Sequence, residues 1–157
     1  MESIKEKWSA DAVRAVVRTY TEHEGPLLPI LHALQEEFGY IPSEAERLIA
    51  QELNLSRADV HGVVSFYHDF RHEPAGRHVL KLCRAEACQS LGSETQSRKL
   101  LDALGLEWGG TTADGRLTIE AVYCLGLCAT APAALFDETP CGRLDLPALE
   151  ALAAEAI

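Results

Sequence analysis

Apolar residues recur at helical spacing through the first half of the chain. Val13, Val16, Val17 and Tyr20 share one face of a helix predicted over Ala10 to Tyr20. Gly25-Pro26 interrupts it, and Leu27, Leu31, Leu34 and Phe38 then form a second stripe that Gly39 is suited to end. Ser43 with Glu46 three residues on has the form of a capping box, predicting a helix to Leu53. Ser56 followed by Asp59 marks a further start, running to about Val64. Helices this short hold only if their apolar faces bury one another.

The pattern changes after the turn-rich stretch His72-Glu-Pro-Ala-Gly76. His78 to Leu82 reads as a buried strand ending at Cys83, and Gln89 or Ser90 to Leu104 as one helix. Asp114-Gly115 signals a hairpin between short strands, the second being Leu117 to Val122, which ends near Cys124. Ala133 to Phe136 reads as a short strand, Pro140 to Gly142 as a turn, and Leu146 to Ala154 as a closing helix. The expected fold class is α+β: a helical bundle over residues 1–77, then an α/β domain over 78–157.

The composition suits ordinary globular structure, with 47% apolar and 24% charged residues among 157. Met1 to Ala10 is polar, without an apolar run of signal-peptide length, and no later stretch approaches membrane-spanning length. The expectation is a cytoplasmic protein with no direct membrane insertion. Acidic residues exceed basic ones in both parts, 13 to 8 up to Arg77 and 11 to 6 beyond it. Neither part offers a net basic surface for phosphates, so no nucleic-acid partner is expected.

Five cysteines, all in the second half, carry the candidate chemistry. Cys83-x4-Cys88 and Cys124-x3-Cys128 form two short pairs, each beginning near a predicted strand end; Cys141 stands apart in Thr-Pro-Cys-Gly and receives no ligand role. A binuclear iron–sulfur cluster needs two thiolates on each iron, and two short-range pairs meet that need. Cys83 and Cys88 are expected on one iron, Cys124 and Cys128 on the other. A structural zinc ion also takes four thiolates and stays open as a reading, although its knuckles commonly use two-residue spacing. A thioredoxin-type redox disulfide needs Cys-x-x-Cys, which is absent. Gly126, between the second pair, suits a backbone needing positive φ or a close approach.

The cysteine pairs, together with Val122-Tyr-Cys-Leu-Gly-Leu-Cys-Ala-Thr-Ala-Pro132, resemble the thioredoxin-like [2Fe–2S] ferredoxin family. Its members include the small iron–sulfur subunits of the NADH-oxidising module of respiratory complex I and of NAD-linked hydrogenases and formate dehydrogenases. The first half is similar as well, over Leu27 to Tyr40 and Leu55-Ser-Arg-Ala-Asp-Val-His-Gly-Val-Val-Ser-Phe-Tyr67. Cys83-Arg-Ala-Glu-Ala-Cys-Gln-Ser-Leu-Gly92 and His61 to Phe70 look most like the gamma subunits of NAD-dependent formate dehydrogenases. The resemblance implies a thioredoxin-like second domain with a [2Fe–2S] cluster on Cys83, Cys88, Cys124 and Cys128. It implies single-electron exchange with the FMN of a partner subunit that binds NAD and a [4Fe–4S] cluster. A molybdenum or tungsten formate dehydrogenase subunit would complete the complex.

Two other classes compete. Ser43 to Val64 has the outline of a helix-turn-helix, which an iron–sulfur or zinc regulator could use, but its second helix carries only Arg57 as a basic residue. A stand-alone enzyme would need a site that the chain does not display: it has no GxGxxG or Walker loop. His61, His68, His72 and His78 flank the domain junction, and Phe66, Tyr67 and Phe70 lie among them. These read as surface, core or subunit-contact residues, with His61 to Phe70 and the front helices expected against the partner.

Overall fold

The computed structural model describes residues 8–156; most of the polar opening stretch and the final residue of the second predicted domain lie outside them. The chain divides into two compact units between Pro74 and Ala75. Among the described residues no helix is long and apolar enough to cross a membrane.

The first unit is four helices: α1 (Ala10–Tyr20), α2 (Leu27–Phe38), α3 (Ser43–Glu52) and α4 (Arg57–Phe66). Of the predicted stripes Val13, Val17, Leu31, Leu34 and Phe38 are buried in the core, where Ile30, Ile49, Val60 and Val64 join them, while Val16, Tyr20 and Leu27 are partly buried against it. Ser9 caps α1 by accepting the Ala12 N–H at 3.2 Å. Gly39 ends α2 at φ +85°, a left-handed conformation that favours glycine. Gln35, near the end of α2, holds the chain beyond α4: its amide donates to Asp69 O at 2.6 Å and accepts the Arg71 N–H at 2.7 Å.

The expected capping box does not form at α3, and one forms at α4 instead. Ser56 and Asp59 cap α4 reciprocally. At α3 the cap position falls to Pro42, which makes no side-chain cap, and Ser43 is the first helical residue. Glu46 faces inward and is 1% exposed. Its carboxylate meets His61 Nδ1 on α4 at 3.1 and 3.2 Å, so a partner from another helix takes it from the role that the local sequence suggests.

The second unit is a four-stranded sheet with three helices. β1 (His78–Cys83) and β2 (Leu117–Val122) are parallel; β3 (Ala134–Phe136) and β4 (Thr139–Cys141) follow antiparallel, giving the order β2-β1-β3-β4. Between β1 and β2 come α5 (Glu86–Ser90) and α6 (Ser93–Leu104); α7 (Leu146–Ala156) closes the chain. Leu80 and Leu82 of β1, Leu117 and Ile119 of β2, Leu100 and Leu101 of α6, and Leu149 and Ala153 of α7 form the core.

Three local expectations are revised. The single helix to Leu104 is two, because Gly92 adopts φ +87° and breaks it after Leu91. The arm before Asp114-Gly115 forms no regular strand: it meets β2 at an isolated bridge, Thr111 to Thr118, and through backbone bonds of Gly109, Gly110 and Thr112. Pro140 lies in edge strand β4 opposite Leu135, where a missing N–H costs no ladder bond, and the turn itself is Asp137-Glu138. Asp137 takes φ +53° there, and its carboxylate reaches back to β1, accepting from Val79 N–H at 2.9 Å and meeting His78 Nδ1 at 2.9 Å.

Candidate metal centre

The four expected cysteines come together at one end of the sheet. Cys83 ends β1, the strand paired on both sides, and its N–H donates to Ala133 O at 3.1 Å. Cys88 lies on α5 rather than in an open loop. This short helix is tied back to the strand end, since the Gln89 side-chain amide donates to Arg84 O at 2.6 Å. Cys124 follows β2 with φ +93°, rare for a residue with a side chain. Cys128 opens a 3-10 turn, Cys128–Thr130.

Gly126 adopts φ +74°, while a Cβ built there would meet nothing within 4 Å. The glycine therefore serves the backbone turn, and no protein atom crowds the position. Its N–H points at Cys124 Sγ, 3.4 Å away.

The sulfurs form two unlike pairs. Cys83 and Cys88 are 4% and 2% exposed, whereas Cys124 and Cys128 are open to solvent. Burial alone would push the Cys83 thiol up, yet its pKa lies below the ordinary thiol value. The Ala85 N–H, the Cys88 thiol and the N–H groups of Cys124 and Leu125 face its sulfur and outweigh burial. Cys88 is pushed up by burial, against the favourable Ala133 N–H, with Cys83 and Cys128 adding to the rise. Cys128 is raised first by the neighbouring Cys124 thiol.

Each pair is thus in contact within itself, and the pairs sense each other electrostatically. Backbone N–H groups aimed at sulfur are what a thiolate-bound cluster requires around it. The donor set fits: four thiols, two from each side, could hold a binuclear cluster with two sulfurs per iron. Among the described residues no three His, Cys, Asp or Glu side chains are gathered as ligands for a single metal ion. Cys141 takes no part in the group; its S–H donates to Thr139 O at 3.6 Å.

Two residues that the sequence did not single out hold the site in shape. Arg84, next to Cys83, grips Glu94 in the first turn of α6 with two bonds of 3.0 and 3.1 Å, and its guanidinium lies 4.8 Å from the Trp108 ring centre. The hydrogen bond from Arg84 holds the Glu94 carboxyl below its ordinary range, and Arg98 adds to this. The sequence carries no marker for this clamp, because its members become neighbours only after α5 turns.

Two of the histidines near the junction are held by neighbours within their own units. His61 meets Glu46, with its ring centre 6.1 Å from that of His72. His78 stacks on Phe136 at 5.5 Å and bonds Asp137.

Comparison with known proteins gives the family. Residues 13–156 match the thioredoxin-like [2Fe–2S] ferredoxin family. The NADP-reducing hydrogenase subunit HndA of Solidesulfovibrio fructosivorans is 33% identical over 128 residues, covering 82% of this chain and 75% of that one. An NADH-quinone oxidoreductase subunit of Rhizobium meliloti (strain 1021) is 34% identical over 142 residues, covering 90% and 84%. Among solved structures, an NAD+-reducing [NiFe]-hydrogenase in the H2-reduced state matches with a TM-score of 0.66 and 28% identity over 80% of this chain. The chain spans 22% of that hydrogenase chain's length. The chain is a member of the thioredoxin-like [2Fe–2S] ferredoxin family, and its cofactor is a [2Fe–2S] cluster.

Proposed function

We propose that this chain is the electron-relay subunit of a cytoplasmic NAD-dependent formate dehydrogenase. Cys83, Cys88, Cys124 and Cys128 bind the [2Fe–2S] cluster, with Cys83 and Cys88 on one iron and Cys124 and Cys128 on the other. The observation that carries the ligand assignment is the pairing of these four thiols, with backbone N–H groups turned toward their sulfurs.

When bound, the cluster supplies one-electron chemistry beside a partner's flavin, which takes two electrons from NADH as hydride. The residues of this chain set the terms of that exchange. Four thiolates without histidine favour a lower potential than a His-ligated centre. N–H donors to Cys83 and Cys124 oppose that trend by stabilising negative charge on sulfur. The open face at Cys124 and Cys128 offers the short path for an electron; Tyr123 and Leu91, 70% and 56% exposed, are apolar surface that a partner could cover. Phe66, 72% exposed, and Tyr67 on the first unit support the same reading for the region His61 to Phe70.

Support for formate as the terminal substrate is the similarity of Cys83 to Gly92 and His61 to Phe70 to the gamma subunits of formate dehydrogenases. The partners would be the FMN-, NAD- and [4Fe–4S]-binding subunit and a molybdenum or tungsten catalytic subunit. A second reading is favoured by the names of the relatives: the equivalent subunit of an NADH-quinone oxidoreductase or an NAD-linked hydrogenase.

Anaerobic purification of the chain alone and of the native complex tests the two levels. In the chain alone, two irons and two sulfides, a rhombic EPR signal on reduction, and loss of that signal in each of Cys83→Ser, Cys88→Ser, Cys124→Ser and Cys128→Ser, but not Cys141→Ser, are expected. Zinc without labile sulfide in that chain would refute the ligand assignment. Formate-dependent NAD+ reduction by the native complex is expected; hydrogen- or quinone-linked activity in its place selects the second reading.

A further inference from the structure

The buried stripe of α6 changes character along its length. Leu100 and Leu101 are apolar, but one and two turns earlier the core-facing positions are Ser97 and Ser93, 2% and 5% exposed. The polar end is the end nearest the cysteines. Ser93, Gln96 and Ser97, spaced to share one helix face, wall a cavity of about 10 Å³ together with Cys83, Leu82 and Leu149. Ser93 Oγ and Gln96 Oε1 are both buried and meet no hydrogen-bond partner in the protein. Burying two such atoms unmatched costs about 1–3 kcal/mol each, which a fold does not bear without return. A cavity of this size admits one water and not several, and a buried water needs two to four polar partners.

We propose that the cavity is a binding site for a single water that raises the potential of the cluster through Cys83. The water accepts from the Ser93 hydroxyl, donates one proton to Gln96 Oε1 and donates the other to the Cys83 sulfur. Both its protons are then used, and both unmatched atoms are satisfied. Cys83 already receives N–H groups from Ala85, Cys124 and Leu125. The water adds a donor from the cavity side, which Ser93, Gln96 and Ser97 of α6 line together with Cys83. Reduction places more negative charge on the thiolates, so each donor favours the reduced form. This role rests on Cys83 being a ligand.

The test is a crystal structure of the cluster-bearing full-length protein, paired with redox titrations followed by EPR. One density peak within hydrogen-bond distance of Ser93 Oγ, Gln96 Oε1 and Cys83 Sγ is expected, and Ser93→Ala and Gln96→Leu should each lower the midpoint potential. A dry cavity, including one in which Ser93 turns directly onto the sulfur, overturns the site. An ordered water with unchanged potentials in both variants overturns the tuning role. Should either variant fail to take up iron, the wild-type density decides. A map with Cys83 off the metal refutes the ligand reading and the tuning role with it, whereas the water site still stands or falls on its own density.

Discussion

At the scale of single residues, the clearest energetic statement concerns Glu46. A carboxylate 1% exposed cannot be left uncompensated, and His61 is its near partner, with Arg57 farther off at 3.9 Å. The His61 side chain is 59% exposed, so solvent screens part of the attraction; the cost of error falls on the buried acid. His61→Ala should therefore destabilise the protein by about 1–3 kcal/mol in urea unfolding. Glu46→Met combined with His61→Ala should recover most of that loss, since no buried charge remains. Equal stability of His61→Ala and wild type would mean that water reaches Glu46. None of this was legible locally: Ser43 and Glu46 carry a cap signature, and only the approach of α4 turns the acid inward.

At the scale of elements, α4 depends on its start. The Ser56 hydroxyl accepts the Asp59 N–H at 3.1 Å, and the Asp59 carboxylate takes the Ser56 N–H at 3.1 Å. Ser56→Ala should cost about 1 kcal/mol, read by urea denaturation. The same bonds give a pH dependence. The hydroxyl of Ser56, then its N–H, hold the Asp59 pKa below its ordinary 3.8. A lowered carboxylate contributes stability that is fully present above the unfolded value and lost as pH falls through the folded one. The difference between wild type and Asp59→Asn should accordingly hold steady down to about pH 4 and shrink in stronger acid. A constant difference at every pH would leave the cap without its charge. This box was legible because donor and acceptor lie within one turn. The break between α5 and α6 was not, since Leu91 continues the apolar spacing of Leu100, Leu101 and Leu104 across Gly92, although it is 56% exposed in the fold. Likewise Pro140 reads as a turn until the sheet shows it on an edge.

At the scale of the whole molecule, the cysteine pairs were readable because each lies within six residues of sequence, and the bundle because its stripes bury one another. The clamp of Arg84 on Glu94 and the polar wall of α6 were not, being products of tertiary approach. The unequal burial of the two cysteine pairs has a chemical consequence. It gives small reagents a preferred direction of attack. Alkylation needs both thiolate character and access, and the two disagree here: Cys83 has the lowered pKa but is covered, whereas Cys128 is raised but open. Access wins, because a shielded sulfur cannot meet an electrophile however well ionised. In the metal-free protein, iodoacetamide should mark Cys124 and Cys128 well before Cys83 and Cys88, as timed peptide mass spectrometry would show; the reverse order would mean that the β1 end opens freely. With one iron on each pair, as proposed, the same asymmetry would make corrosion of the loaded protein directional, beginning at the open pair while the buried pair keeps its grip.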